Sequence, residues 1–178
     1  MERIRLFWTP EVKADLREYV LARLPSLLEL PAAAGAPFEL GMEDFSLRRQ
    51  QYRAAALLAT LRPRREADAL LLAVTGADLF APGLNFVFGQ ADPAGRCAII
   101  SLFRLGPGLT RETPPASLFQ RRALTEAVHE IGHLLALPHC PDPACAMHFS
   151  NTLAETDRKG PGLCEKCRHR LRGADLAN

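Results

Sequence analysis

A chain of 178 residues, 48% of them hydrophobic, is long enough to bury a sizeable core in one domain without disulfide staples. Its net charge of +2, with acids and bases interleaved, creates no overall field that would draw it to nucleic acid or an anionic membrane. The longest aliphatic run, residues 69–74, is far below the ~20 residues of a membrane span, and the first twenty residues carry charges throughout, unlike a secretory signal, so a cytoplasmic protein with no membrane partner is expected.

Residues 3–7 (RIRLF) alternate charge with apolar groups and predict a half-buried strand. Pro10 sits where a helix can begin, and Val12, Leu16, Tyr19, Val20 and Leu24 recur at helical spacing, which predicts an amphipathic helix over 11–24. Residues 31–37 (PAAAGAP) read as a loop, 38–40 as a short strand, and the Arg-, Gln-, Ala- and Leu-rich stretch 46–61 as a second helix. The continuous apolar run 68–75 suits a strand buried on both faces. Residues 84–89 (LNFVFG) and 97–103 (CAIISLF) are β-rich and flank turn chemistry, so they are expected to pair as neighbours. Gly-Pro-Gly at 106–108 and the Pro pair at 114–115 close this half, and Ser117 is expected to cap a long helix running through Leu135.

That helix carries HEIGHLLALPHC, residues 129–140. Residues four apart on a helix point the same way, so His129 and His133 can converge on one ion. Leu124, Ala127, Val128, Ile131 and Leu135 form an apolar anchoring side, with Glu126, Glu130 and His133 leaning the other way with His129. Glu130 can then approach a water on the metal without binding the metal itself. His139 reaches the same ion only if the helix stops first, and Pro138 supplies a reason to stop. The bland alternative is a solvated helix face with a chance match; three of the chain's five histidines within eleven residues weigh against it.

Five cysteines in a reducing compartment read as metal ligands or catalytic thiols, and four of them follow this motif. Cys140, Cys145, Cys164 and Cys167 have C-x4-C and C-x2-C spacing, the signature of a tetrahedral four-cysteine zinc site, with four unligated buried thiols as the alternative. Cys97 stands apart, and Met147 taken alone reads as core.

Taken together, HEIGHLLALPHC, the CAM at 145–147 and the CEKC at 164–167 resemble the archaemetzincins, a branch of the metzincin zinc peptidases. The segments LNFVFGQAD and SLFRL are similar to that family as well. The resemblance implies an α/β (α+β) fold with a twisted mixed sheet, an antiparallel edge strand beside the cleft, a long zinc-binding helix and a small four-cysteine zinc subdomain. It implies one catalytic domain over 1–178, divided into an upper part, 1–138, and a C-terminal part, 139–178. His129, His133 and His139 become ligands of a catalytic zinc, Glu130 the general base, Met147 the methionine beneath the site, and the four cysteines the ligands of a second, structural zinc. Two departures stand out. Ala136 occupies a glycine position of the pattern, and if the backbone there has φ > 0, alanine costs on the order of 1 kcal/mol. Phe149 cannot assist an oxyanion as a tyrosine does in other branches, which leaves that charge to the metal and to backbone amides.

The expected function is a zinc metallopeptidase using Glu130-assisted attack of a zinc-bound water on a peptide bond, acting on short peptides, with aminopeptidase activity consistent with the family. The edge strand is placed at 84–89, with Phe86, Phe88 and Gly89 as substrate-binding residues. A monomer is expected. The alternative is a non-catalytic zinc module for protein or nucleic acid, suggested by Arg158, Lys159, Lys166, Arg168, Arg170 and Arg172; the favoured account of these is a solvated basic face, and no aromatic residue follows Phe149 to stack on bases.

Overall fold

The computed structural model describes residues 2–108 and 113–174. Its frame is β1 (Arg3–Trp8), α1 (Ala14–Leu28), β2 (Ala32–Ala34), β3 (Phe45–Ser46), β4 (Gln51–Arg53), α2 (Ala54–Leu61), β5 (Ala69–Thr75), β6 (Leu79–Phe80), β7 (Gly89–Asp92), β8 (Cys97–Ser101), α3 (Ala116–Leu134), α4 (Leu153–Arg158) and α5 (Glu165–Ala174). The main sheet has the order β2-β1-β5-β8-β7, parallel except for β7, which runs antiparallel to β8 at the edge. A second small sheet, β3-β4-β6, lies apart from it.

Strand alternation divides the interior into two cores. Ile4, Leu6, Leu70, Leu72, Val74, Ala98 and Ile100 face α1 and α3, while Phe7, Leu71, Ala73, Cys97 and Ile99 face α2. β5 is therefore buried along its whole length, as its unbroken apolar run requires. Cys140, Cys145, Met147, Leu163, Cys167 and Leu171 belong to the same core as α1 and α3, so the segment after α3 is packed into the molecule. Among the described residues no helix is long and apolar enough to cross a membrane.

The structure departs from the sequence expectations where tertiary partners override local pattern. The first helix begins at Ala14, and the Glu11 carboxylate ahead of it accepts from the Thr9 hydroxyl at 2.5 Å and the Gly76 amide at 2.9 Å. It runs through Pro25 to Leu28 and ends on Glu29 at φ 58°. Residues 32–34, expected as loop, form β2 because the outer edge of β1 accepts a parallel partner. Residues 38–40 are not a strand; Phe38 donates to the Trp8 carbonyl and buries its ring in the second core. The helix expected over 46–61 survives only as α2: Tyr52 donates to the Asp78 carbonyl and Gln51 to the Asp78 carboxylate, pulling 51–53 into β4. The edge strand is β7, not 84–89, where Val87 makes only a single bridge to Leu79. Ser117 does not cap α3, whose N-cap is Pro115 without a side-chain bond.

Candidate metal and catalytic site

His129 and His133 lie one turn apart near the end of α3, and each ring is oriented by a backbone carbonyl. The Nδ1 of His129 lies 2.8 Å from the Ala146 oxygen and that of His133 2.9 Å from the Leu137 oxygen. A carbonyl only accepts, so both Nδ1 atoms carry the proton and both Nε2 atoms present bare lone pairs. Those two Nε2 atoms face each other at 3.1 Å. Burial also keeps the rings neutral, with His129 lowered to about 2, chiefly by desolvation. Two lone pairs so close repel unless a cation lies between them, and nitrogens bound tetrahedrally at ~2.0–2.1 Å would stand about 3.3 Å apart. The donor set therefore fits a zinc-type ion.

His139 joins them because α3 stops in a Schellman turn: the Leu137 amide bonds the Gly132 carbonyl at 2.9 Å and the Ala136 amide bonds His133 O at 3.1 Å. Ala136 occupies the left-handed position, at φ 60°, so the strain condition anticipated for it is met. The rings of His133 and His139 are then 4.8 Å apart, and one nitrogen from each histidine lies within 4.8 Å of the others. Ala136→Gly is expected to hold zinc at the histidines as tightly as the wild type or more so, by relief of up to ~1 kcal/mol of strain. Competition with a chelator measures this, and a clear loss of affinity would contradict the strain account.

Met147 is fully buried against α3. A Cβ on Gly132 would collide with the Met147 sulfur, so the glycine between the two histidines lets the methionine seat directly beneath them. Glu130, on the face opposite the apolar anchoring side, is only 5% exposed. A Cβ on Gly89 would lie 2.6 Å from Glu130 Oε1, so the carboxylate sits against the start of the edge strand β7. Burial, with help from the nearby Glu126, pushes the Glu130 carboxyl well above its usual range, and Lys159 opposes this. Phe86, Phe88 and Gly89 line the same cleft of about 460 Å³ as the histidines and Glu130. Phe149 stands beside His139, ring centroids 5.1 Å apart, and is half exposed on the rim, as is Leu84.

Sequence reasoning missed Lys159, which it placed on a solvated basic face. It is 1% exposed, its ammonium 3.1 Å from the Glu126 carboxylate and donating to the His148 carbonyl at 3.1 Å. The sequence carried little signal for it: Glu126 was read on the face opposite the apolar side, and only its burial in the fold, 3% exposed, calls for a cation. Lys159→Met should cost about 3–5 kcal/mol in a denaturant titration, because it leaves Glu126 buried and unpaired. A loss below ~1 kcal/mol would mean that the pair is solvated in solution.

The four cysteines converge separately. Cys140 and Cys145 lie in the loop after α3, Cys164 just before α5, and Cys167 in its first turn, with all four sulfurs within 4.8 Å of one another. The Cys140 and Cys164 sulfurs are 3.7 Å apart, too far for a disulfide at ~2.05 Å. That spacing matches the ~3.8 Å edge of a tetrahedron with metal–sulfur bonds of ~2.3 Å. Burial pushes the Cys145 and Cys167 thiols up, so these two need a cation beside them to become thiolates. Cys97 lies elsewhere, in β8, with its thiol directed at the Gly95 carbonyl.

Comparison with known proteins agrees with this geometry. The model of peptidase family M54 matches residues 11–173. An archaemetzincin of Pyrococcus abyssi is 41% identical over 146 residues, 81% of this chain and 78% of the relative. The solved structure of archaemetzincin from Methanopyrus kandleri superposes with a TM-score of 0.87 at 35% identity, covering 99% of this chain and 96% of that one. A zinc-dependent peptidase from Methanocorpusculum labreanum superposes with a TM-score of 0.87 at 34% identity, covering 94% and 99%.

Proposed function

The chain belongs to peptidase family M54, the archaemetzincins, and is a zinc metallopeptidase; from that premise we propose that His129, His133 and His139 hold its catalytic zinc and Glu130 is its general base. The observation that carries this is the pair of unprotonated Nε2 atoms facing each other beside a buried carboxylate at the edge of a sheet. Bound there, zinc supplies a Lewis acid for the scissile carbonyl and lowers the pKa of a water. Glu130 takes the proton from the attacking water and returns it to the departing amine nitrogen. Gly89 keeps the wall beside that carboxylate free of any side chain, so a substrate backbone can approach it. An extended peptide adds to β7 as a further strand, with Phe86 and Phe88 beneath it. The cysteines hold a second, structural zinc, two ions per chain in all.

The substrates are short peptides, since the cleft is compact, and the family resemblance favours cleavage from the amino terminus. We read residues 1–178 as one catalytic domain with a C-terminal zinc-binding part from 139, monomeric and cytoplasmic, in keeping with five free cysteines. The test is a peptide-library digest with protein whose zinc content has been measured. Two zinc ions per chain with cleavage of some members supports the reading; two ions and no cleavage at all would sink it.

A further inference from the structure

The two candidate metal clusters are built on shared backbone. The third histidine and the first cysteine, His139 and Cys140, are consecutive residues. Cys145 is followed directly by Ala146, whose carbonyl orients His129. Between them the Cys140 amide donates to Met147 O at 2.9 Å, the His148 amide to Cys145 O at 2.9 Å, and His148 Nδ1 to Cys140 O at 2.9 Å. The later cysteines reach the same turn from the other side. The Ala146 amide bonds Gly162 O at 2.9 Å, the Gly160 amide bonds Ala144 O at 3.1 Å, and the Cys164 amide points at the Cys145 sulfur at 3.3 Å. No helix or strand spans 135–152, so the turn depends for its shape on these cross-links and on whatever draws the four sulfurs together. A shift of Cys145 relative to Cys164 carries with it the carbonyl that sets the His129 ring.

We propose that the two metal sites are thermodynamically coupled: metal at the four cysteines orders the 139–148 turn and thereby raises the affinity of the three histidines for theirs. This rests on the two-ion reading above. Because linkage is reciprocal, the histidine site must strengthen the cysteine site by the same factor. Groups that orient metal ligands from behind are worth ~10–100-fold in affinity, and a factor of at least about ten is expected here.

The test uses cobalt(II) as the probe on metal-free protein, because thiolate-to-cobalt charge transfer reports the cysteines separately from the weaker visible band of a histidine site. In the wild type the charge-transfer band should saturate with the first equivalent and the histidine band with the second. Cys164→Ser should weaken cobalt binding at the histidines at least tenfold. His133→Ala should make the cysteine-bound cobalt easier to strip with a chelator by a similar factor. The His133→Ala arm decides alone if Cys164→Ser does not fold, since it leaves all four cysteines in place. Two equivalents that bind with affinities unchanged by either substitution would overturn the coupling while leaving the two-ion reading intact. Uptake of a single equivalent would overturn that reading, and the coupling with it.

Discussion

Glu130→Gln is expected to lower peptidase kcat/KM by about 10²–10⁴-fold, the usual loss on removing a general base, while leaving the metal content unchanged. The separation of the two effects follows from geometry. His129, His133 and His139 converge on one point without Glu130, whose carboxylate is turned instead against Gly89 at the cleft wall. Glutamine has the same shape and fits the same space but cannot take a proton from water. Because Glu130 is buried beside Glu126, neutralising it removes a like-charge neighbour, so the variant's melting temperature should be unchanged or slightly raised. The measurements are steady-state kinetics on a peptide selected from the library and zinc analysis of the same samples. A variant that keeps its activity would remove Glu130 from the reaction, and one that loses zinc would make it a ligand.

How much of this was legible in the sequence depends on whether a residue's role is local. β1 and β5 could be read because pattern and burial agree along them, and α3 because its length and apolar face are local, although its polar face is buried as well from Arg122 to Gly132. The histidine pair was legible because i, i+4 spacing is a property of one helix, whereas the left-handed backbone at Ala136 was only a condition raised by the family's glycine and is met in the structure. Residues 46–61 were not, since helix-forming composition there yields to the carbonyl and carboxylate of Asp78, which lie far along the chain. The edge strand was misplaced by a few residues because 84–88 is rich in β-forming residues, whereas pairing with β8 begins only at Gly89. Lys159 shows the limit most clearly. In sequence it sits within a basic run that suggested a nucleic-acid surface; in the fold it is drawn inside by Glu126, and Arg172 is paired with Glu29. The family match to a peptidase favours the enzyme over the non-catalytic module.

Cys164→Ser should be the most destabilising of the substitutions considered, with a loss above about 4 kcal/mol, in the range reserved for disrupted metal sites and similar devices. At ~2–4 °C per kcal/mol for a chain of this size, the melting temperature falls by roughly 8–16 °C. The size follows from where the sulfurs lie. Cys140, Cys145 and Cys167 are buried in the same core as α1 and α3, and Cys164 packs against it, so an ion held by them ties the C-terminal segment to the main body. Without the fourth thiolate, Cys145 and Cys167 are left in a buried space that disfavours their charge, and the ion's contribution to folding is largely lost. The control is wild-type protein in excess chelator: because the substitution acts through the metal, wild type and variant should then melt within about 2 °C of each other, at ~2–4 °C per kcal/mol. Glu130→Gln, which touches no sulfur, should keep the wild-type melting temperature with zinc bound. Comparable melting losses in Cys164→Ser and Glu130→Gln would refute the division of labour between a stabilising cysteine site and a reacting histidine site.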